Sequence, residues 1–184
     1  MVMTIHENHG LDNFFPRFLK GLAMLIEYSY GRNYIFSGLE SGPELVAKLI
    51  EGLNQKEADA RPDPDRFSIR EVIAHLADWE PIFLGRMKRI CEEDAPVIAG
   101  IDEGQLAIDN EYDKTDPFER LDLFRKRRTE LIAYLQERKP NEWNRTGNRP
   151  EFGIITLEAL TVLPIIHDAY HLKQILDIRN SVTK

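Results

Sequence analysis

Two of the chain's five histidines, His167 and His171, stand four positions apart in "LPIIHDAYHLKQI". At about 100° per residue they stack on one helix face, where two imidazoles can chelate a single cation. Leu163, Gln174 and Ile178 share that stripe, so the pair turns toward a core. A third histidine, His75 in "FSIREVIAHLADWEPIF", shares its stripe with Ile82, is flanked by Glu71 and Trp79, and also points inward. Buried imidazoles carry polar nitrogens that need partners. One shared divalent metal would satisfy all three, and separate hydrogen bonds to carboxylates would satisfy them one at a time. The spacing leaves both open. Three neutral imidazoles on a metal would leave coordination positions for water or substrate, the arrangement of a catalytic centre. Zinc, nickel and iron all suit such ligands.

The neighbours of these histidines have their own readings. "HDAYH" is similar to the zincin helix H-E-x-x-H, with Asp168 in the glutamate's place. A protease is not expected, because Asp168 lies about 100° around the helix from His167. Its side chain is also short, and the third histidine comes from a different helix. Asp168 is expected to orient a ligand from outside or to face water. In "RKRR", Arg125 to Arg128, the stripe Leu121, Phe124, Leu131, Ile132 and Leu135 centres on Arg128, which therefore turns inward. It is expected to pair with Glu71 or Asp78, or to hold a substrate anion near the metal. Tyr170 and Gln174 flank the metal face, placed either to hydrogen-bond a substrate or to pack. No residue stands out as a nucleophile or general base.

Four helices would position these groups. The first is expected at "SGPELVAKLIEGL", with Ser41 and Glu44 as a capping box. The second opens on Ser68 and Glu71 and runs to about Cys91, with Pro81 in its interior. The third has Asp116 as N-cap, Pro117 at its first position, and Glu119 closing a box. The fourth runs from near Thr156 to about Arg179, with Pro164 as an interior kink. The long links 92–115 and 140–155 allow a crossover, and the former has a helical turn at "EGQLAID". No run alternates with period two over a strand's length. The expected fold is all-α, a four-helix bundle with a long crossover over residues 37–184. Residues 1–36 would be an extra N-terminal segment, an appendage or a start-site artefact.

Composition bounds the partners. A chain of 184 residues can bury one self-sufficient core. A net charge of −7 argues against nucleic acid, whose phosphates call for clustered Lys and Arg. Cys91 is the only cysteine, which fits a reducing compartment. No apolar run approaches the roughly 20 residues that span a bilayer. The expected setting is cytoplasmic, without a membrane partner.

"FSIREVIAHLADWE" followed by "TLEALTVLPIIHDAYHLKQI" resembles the DinB/YfiT-like superfamily of metalloenzymes, and "EWNRTGNRPEFGIITLEAL" adds to the likeness. The resemblance rests on a histidine within H-L-x-x-x-E and an H-D-x-x-H-x-x-Q pair, and covers about residues 38–180. It implies an up-down-down-up bundle with a divalent metal on His75, His167 and His171. It further implies a homodimer acting on a small molecule, either a transferase using a low-molecular-weight thiol or a hydrolase. A stress-related binding module with a structural or adventitious metal is the competing expectation.

Overall fold

Ser68 opens the helix that carries His75: its hydroxyl accepts from the Glu71 amide while the Glu71 carboxylate accepts from the Ser68 amide. The computed structural model describes residues 29–151 and 153–182. Along them run α1 (Ser29–Leu49), α2 (Gln55–Asp59), α3 (Ile69–Glu92), α4 (Glu103–Asp109), a 3-10 turn (Tyr112–Lys114) and α5 (Pro117–Gln136). Next come a two-stranded antiparallel ribbon, β1 (Thr146–Arg149) with β2 (Gly153–Thr156), and then α6 (Leu157–Leu160) and α7 (Leu163–Val182). No helix of the described residues is long and apolar enough to cross a membrane.

The long helices α1, α3, α5 and α7 form a bundle, and their side-chain pairs fix its directions. Arg70 reaches Thr115 and Arg128 reaches Glu80, so α3 and α5 run parallel. Phe67 lies beside Gln174, and Phe83 beside His167, so α3 and α7 run antiparallel. Glu44 pairs with Arg125 and the Leu39 carbonyl with Arg128, which sets α1 against α5. Gly38 lies beside Ile165 and Leu49 beside Arg179, so α1 and α7 run side by side in one direction. The topology is up-down-down-up, and the crossover is the link that holds α4.

Several boundaries differ from expectation. Among the described residues the first helix already runs from Ser29, not from Ser41. Ser41 lies inside it and donates its hydroxyl back to the Ser37 carbonyl. Of the expected 1–36 segment, residues 1–28 lie outside the described residues, and 29–36 are helical and continuous with the rest of α1. At α5 one oxygen of Asp116 accepts from both the Phe118 and Glu119 amides, so the cap is met by Asp116 itself. Thr156 caps the short α6, and α7 restarts at Leu163. Pro164 therefore falls in a first turn, where a missing N–H costs nothing, and is not an interior kink. The ribbon's strands of four residues are too short to show alternation in the sequence.

The prolines inside α1 and α3 explain the "RKRR" stretch. Pro43 has no N–H for the carbonyl four residues back, that of Leu39, and Arg128 Nη1 donates to it at 2.8 Å. Pro81 leaves the Ala77 carbonyl in the same way, and Arg127 Nη1 donates to it at 2.9 Å. Consecutive arginines of α5 thus satisfy the carbonyls released by prolines on two neighbouring helices.

The core is in two apolar parts. One gathers Leu39, Trp79, Phe83, Met87, Leu131 and Leu160, and the other Val46, Ile73, Leu76, Leu121, Phe124 and Ile175. Between them, at the level of Gly42, Glu80, Arg128 and Asp168, lies a buried polar layer.

Candidate metal centre

The polar layer meets the three histidines where α3 faces α7. The ring centroids of His75, His167 and His171 form a near-equilateral triangle, with sides of 4.9, 4.7 and 4.6 Å. One ligand nitrogen from each lies within 4.8 Å of the others, and His75 Nε2 faces His167 Nε2 at 2.9 Å. Phe67, Trp79, Phe83 and Tyr112 surround the rings.

Burial sets the charge state. Loss of water, reinforced by the neighbouring His171, takes His75 down to about 3. His171 falls to about 4 for the same first reason, despite the opposing bond to Gln174. His167 is pushed lower still by burial, by the other two rings and by Arg128. At neutral pH all three are neutral, the form that offers lone pairs to a metal.

Gln174 decides which lone pair His171 offers. Its Oε1 accepts from His171 Nδ1 at 3.0 Å, while its Nε2 donates to the Phe67 carbonyl at 3.2 Å. The second contact fixes the amide's orientation, and the first leaves His171 Nε2 unprotonated and aimed at the other rings. Sequence reading offered Gln174 a substrate contact or ordinary packing, and missed this orienting bond. Its signal was the spacing of three after His171. His75 Nδ1 has no partner among the described residues.

Arg128 turns inward as expected, but not to Glu71 or Asp78. Glu71 pairs with Arg61, and Asp78 with Arg120 and Arg127. Arg128, 1% exposed, forks onto Glu80 at 2.8 and 2.7 Å and onto Asp168 at 2.8 and 3.1 Å. Asp168 therefore neither faces water nor bonds a histidine. Burial raises the carboxyls of Glu80 and of Asp168, the latter to about 6, while Arg128 opposes both shifts. This brace ties α3, α5 and α7 beside the triangle. With both carboxylates ionised it carries a net −1, which a cation among the rings would offset.

The donor set fits a divalent metal: three neutral imidazoles, one of them held by an outer hydrogen bond, next to a layer with excess negative charge. Tyr170 is 57% exposed at the rim, 5.0 Å from the His171 ring, and bonded through its hydroxyl to Arg66. A cleft of about 310 Å³ opens there, lined by Arg66, Phe67, Tyr170 and Gln174 among others.

Comparison with known proteins gives a consistent result. A family model described as the DinB superfamily matches residues 39–175. A protein of Oceanobacillus iheyensis with the name "putative metal-dependent hydrolase" is 28% identical over 141 residues, 76% of this chain and 81% of its own. Bacillus subtilis YfiT, which has the same name, is 25% identical over 76% of this chain and 79% of its own. The solved YfiT structure superposes with a TM-score of 0.78 at 22% identity, covering 85% of this chain and 90% of YfiT, and is described as an unusual four-helix bundle.

Proposed function

The chain belongs to the DinB superfamily, and on that premise we propose that it is a divalent-metal-dependent enzyme centred on His75, His167 and His171. The triangle of neutral imidazoles carries this reading. A metal held there supplies Lewis acidity, lowering the pKa of a coordinated water or thiol and making a nucleophile near neutral pH. Hydrolysis is supported by the names of the relatives, and thiol-dependent transfer to a small molecule by the sequence resemblance. Zinc, nickel and iron all match the ligands.

The chain's own residues have distinct roles in this reading. His75 and His167 supply facing Nε2 atoms, and Gln174 holds His171 in the matching tautomer. Phe67, Trp79 and Phe83 keep bulk water from the rings' flanks. Arg128, with its donors taken by Glu80, Asp168 and Leu39, sets the helix spacing. Tyr170 and Arg66 stand at the rim, where a substrate would first make contact.

Metal content after loading and dialysis tests the assignment. The native protein should keep about one divalent ion per chain, and His167→Ala or His171→Ala should lose most of it while still folded. In cobalt-loaded protein, added thiol or azide should change the visible spectrum. Full metal content in His167→Ala would remove the assignment, and a spectrum indifferent to added ligands would make the metal structural.

A further inference from the structure

The cleft of about 310 Å³ beside the metal centre shares its walls with the histidine triangle. The Phe67 ring lies 5.4 Å from that of His75, the Tyr170 ring 5.0 Å from that of His171, and Gln174 bonds His171 directly. A molecule seated there lies against the same side chains that hold the rings. The volume is at the lower end of the range for small-molecule sites, and Phe67 and Ile178 give the lining an apolar part.

The polar groups of this cleft are not equally free. Gln174 places its carbonyl on His171 and its amide on the Phe67 carbonyl. Lys173 is answered by Asp177 at 2.6 Å. Arg66 is different. Its guanidinium lies 5.5 Å from the centre of the Tyr170 ring and donates from Nη2 to the Tyr170 hydroxyl, and it makes no ion pair among the described residues. The ring and the hydroxyl hold the guanidinium in one orientation. Its remaining N–H groups and the Tyr170 O–H are left as donors. Burial is the main cause that lowers His171, and the Arg66 charge adds to it, which places that charge close to the triangle.

Oriented donors around a cation call for an anion. A carboxylate matches best, since it has acceptors only, is planar, and forms charge-assisted pairs with a guanidinium fork. It also carries a single charge, as Arg66 does. A doubly charged phosphate would bring an excess of negative charge into a cleft that Asp63 also lines.

We propose that Arg66, held on Tyr170, receives a carboxylate of the substrate, so that the molecule acted on is a small amphipathic acid. Its hydrocarbon body lies against Phe67 and Ile178, and its reacting group reaches the histidine triangle. The reacting end rests on the metal-centre reading, whereas the carboxylate seat can be tested without metal.

NMR titration with matched ligands makes that separation. In metal-free protein, phenylbutanoate is compared with phenylbutanamide. In zinc-loaded protein, mercaptohexanoate is compared with its carboxamide, and zinc content is measured on the same samples. The acid should bind about fivefold more tightly than the amide in both forms, the scale of one exposed charge pair, and added salt should shrink the preference. Arg66→Gln should bring it below about twofold with zinc content unchanged. Tyr170→Phe keeps the ring and removes the hydroxyl, and should roughly halve the preference. It also carries the test if Arg66→Gln does not fold. A phosphate ester of the same body should bind no more tightly than the acid, and tighter binding overturns the choice of a carboxylate. Equal binding of acid and amide by the native protein overturns the proposal, as does a preference that survives Arg66→Gln. A preference seen only without zinc puts the seat out of reach of the triangle and overturns its part in the substrate. A protein that takes no zinc yet prefers the acid retains the seat and loses the metal centre. One that takes zinc and ignores the carboxylate does the reverse.

Discussion

At the scale of single residues, the amide of Gln174 holds the least visible role. It bonds no metal, yet it sets the tautomer of His171. Gln174→Ala should weaken metal binding about tenfold, as losses of such orienting partners do, measured by competition with a chromophoric chelator. Unchanged affinity would mean that packing alone aims the ring. Acid should act on the same three rings in metal-free protein. Their folded pKa values lie below that of a free histidine, so the unfolded chain binds more protons as pH falls through about 6.5 to 4. The stability they contribute is present above that window and is lost within it. Glu80 and Asp168 beside the rings have the opposite sign, since their raised values stabilise the folded state at low pH, but they are two groups against three. The melting temperature of metal-free protein should fall between pH 7 and pH 5, and a melting curve indifferent to pH in that range would contradict the shifts. The histidines were legible in the sequence because a spacing of four needs only helix geometry. The partners of Arg128 were not, because they depend on the register between α3 and α5, which no local pattern encodes.

At the scale of elements, the approach of α1 to the brace sets a strict size limit. A Cβ on Gly42 would collide with Asp168 Oδ2 and come within 2.9 Å of its Cγ and 3.2 Å of Arg128 Nη1. Asp168 cannot yield without leaving Arg128. Gly42→Ala should therefore cost about 2–4 kcal/mol by denaturant unfolding. Gly85 in α3 is the control, since a Cβ there meets nothing within 4 Å, and Gly85→Ala should stabilise by about 0.5–1 kcal/mol. Equal effects at the two sites would remove the close-packing argument. The capping box of α3 was readable from Ser68 and Glu71, as was the Asp116 cap of α5. Ser41 misled because the same residue type that caps a helix also bonds back to a carbonyl within one, and only the residues before it decide which. Pro43 would ordinarily argue for a break, and it is tolerated because Arg128, from far along the chain, takes the carbonyl it releases.

At the scale of the molecule, α1 from Ser29 belongs to the bundle's packing. Ile35 is buried, Phe36 stacks edge-on with Trp143 at 6.3 Å, and Arg32 lies over Trp143 and bonds Glu158 at 2.9 Å. A chain starting at Ser37 loses these contacts. It should be less stable by about 2–4 kcal/mol, counting one buried isoleucine and a partly buried ion pair. An unchanged melting temperature would show that residues 29–36 add nothing. The four-helix class was readable from cap signals, and the link lengths allowed a crossover whose arrangement only the family resemblance implied, whereas the ribbon and the division of the core by a polar layer were not legible. The direction of the helices also bears on how the bundle is assembled. An up-down-up-down bundle can form from hairpins of neighbouring helices, each closing a short loop. Here α3 and α5, consecutive long helices, run parallel, and the two halves of the histidine triangle stand 92 positions apart. Those contacts require long loops to close before they are rewarded, so folding should be slow for an all-helical chain of this size. The triangle would then be complete only after the last helix has docked, and metal would be captured late, by a nearly native bundle.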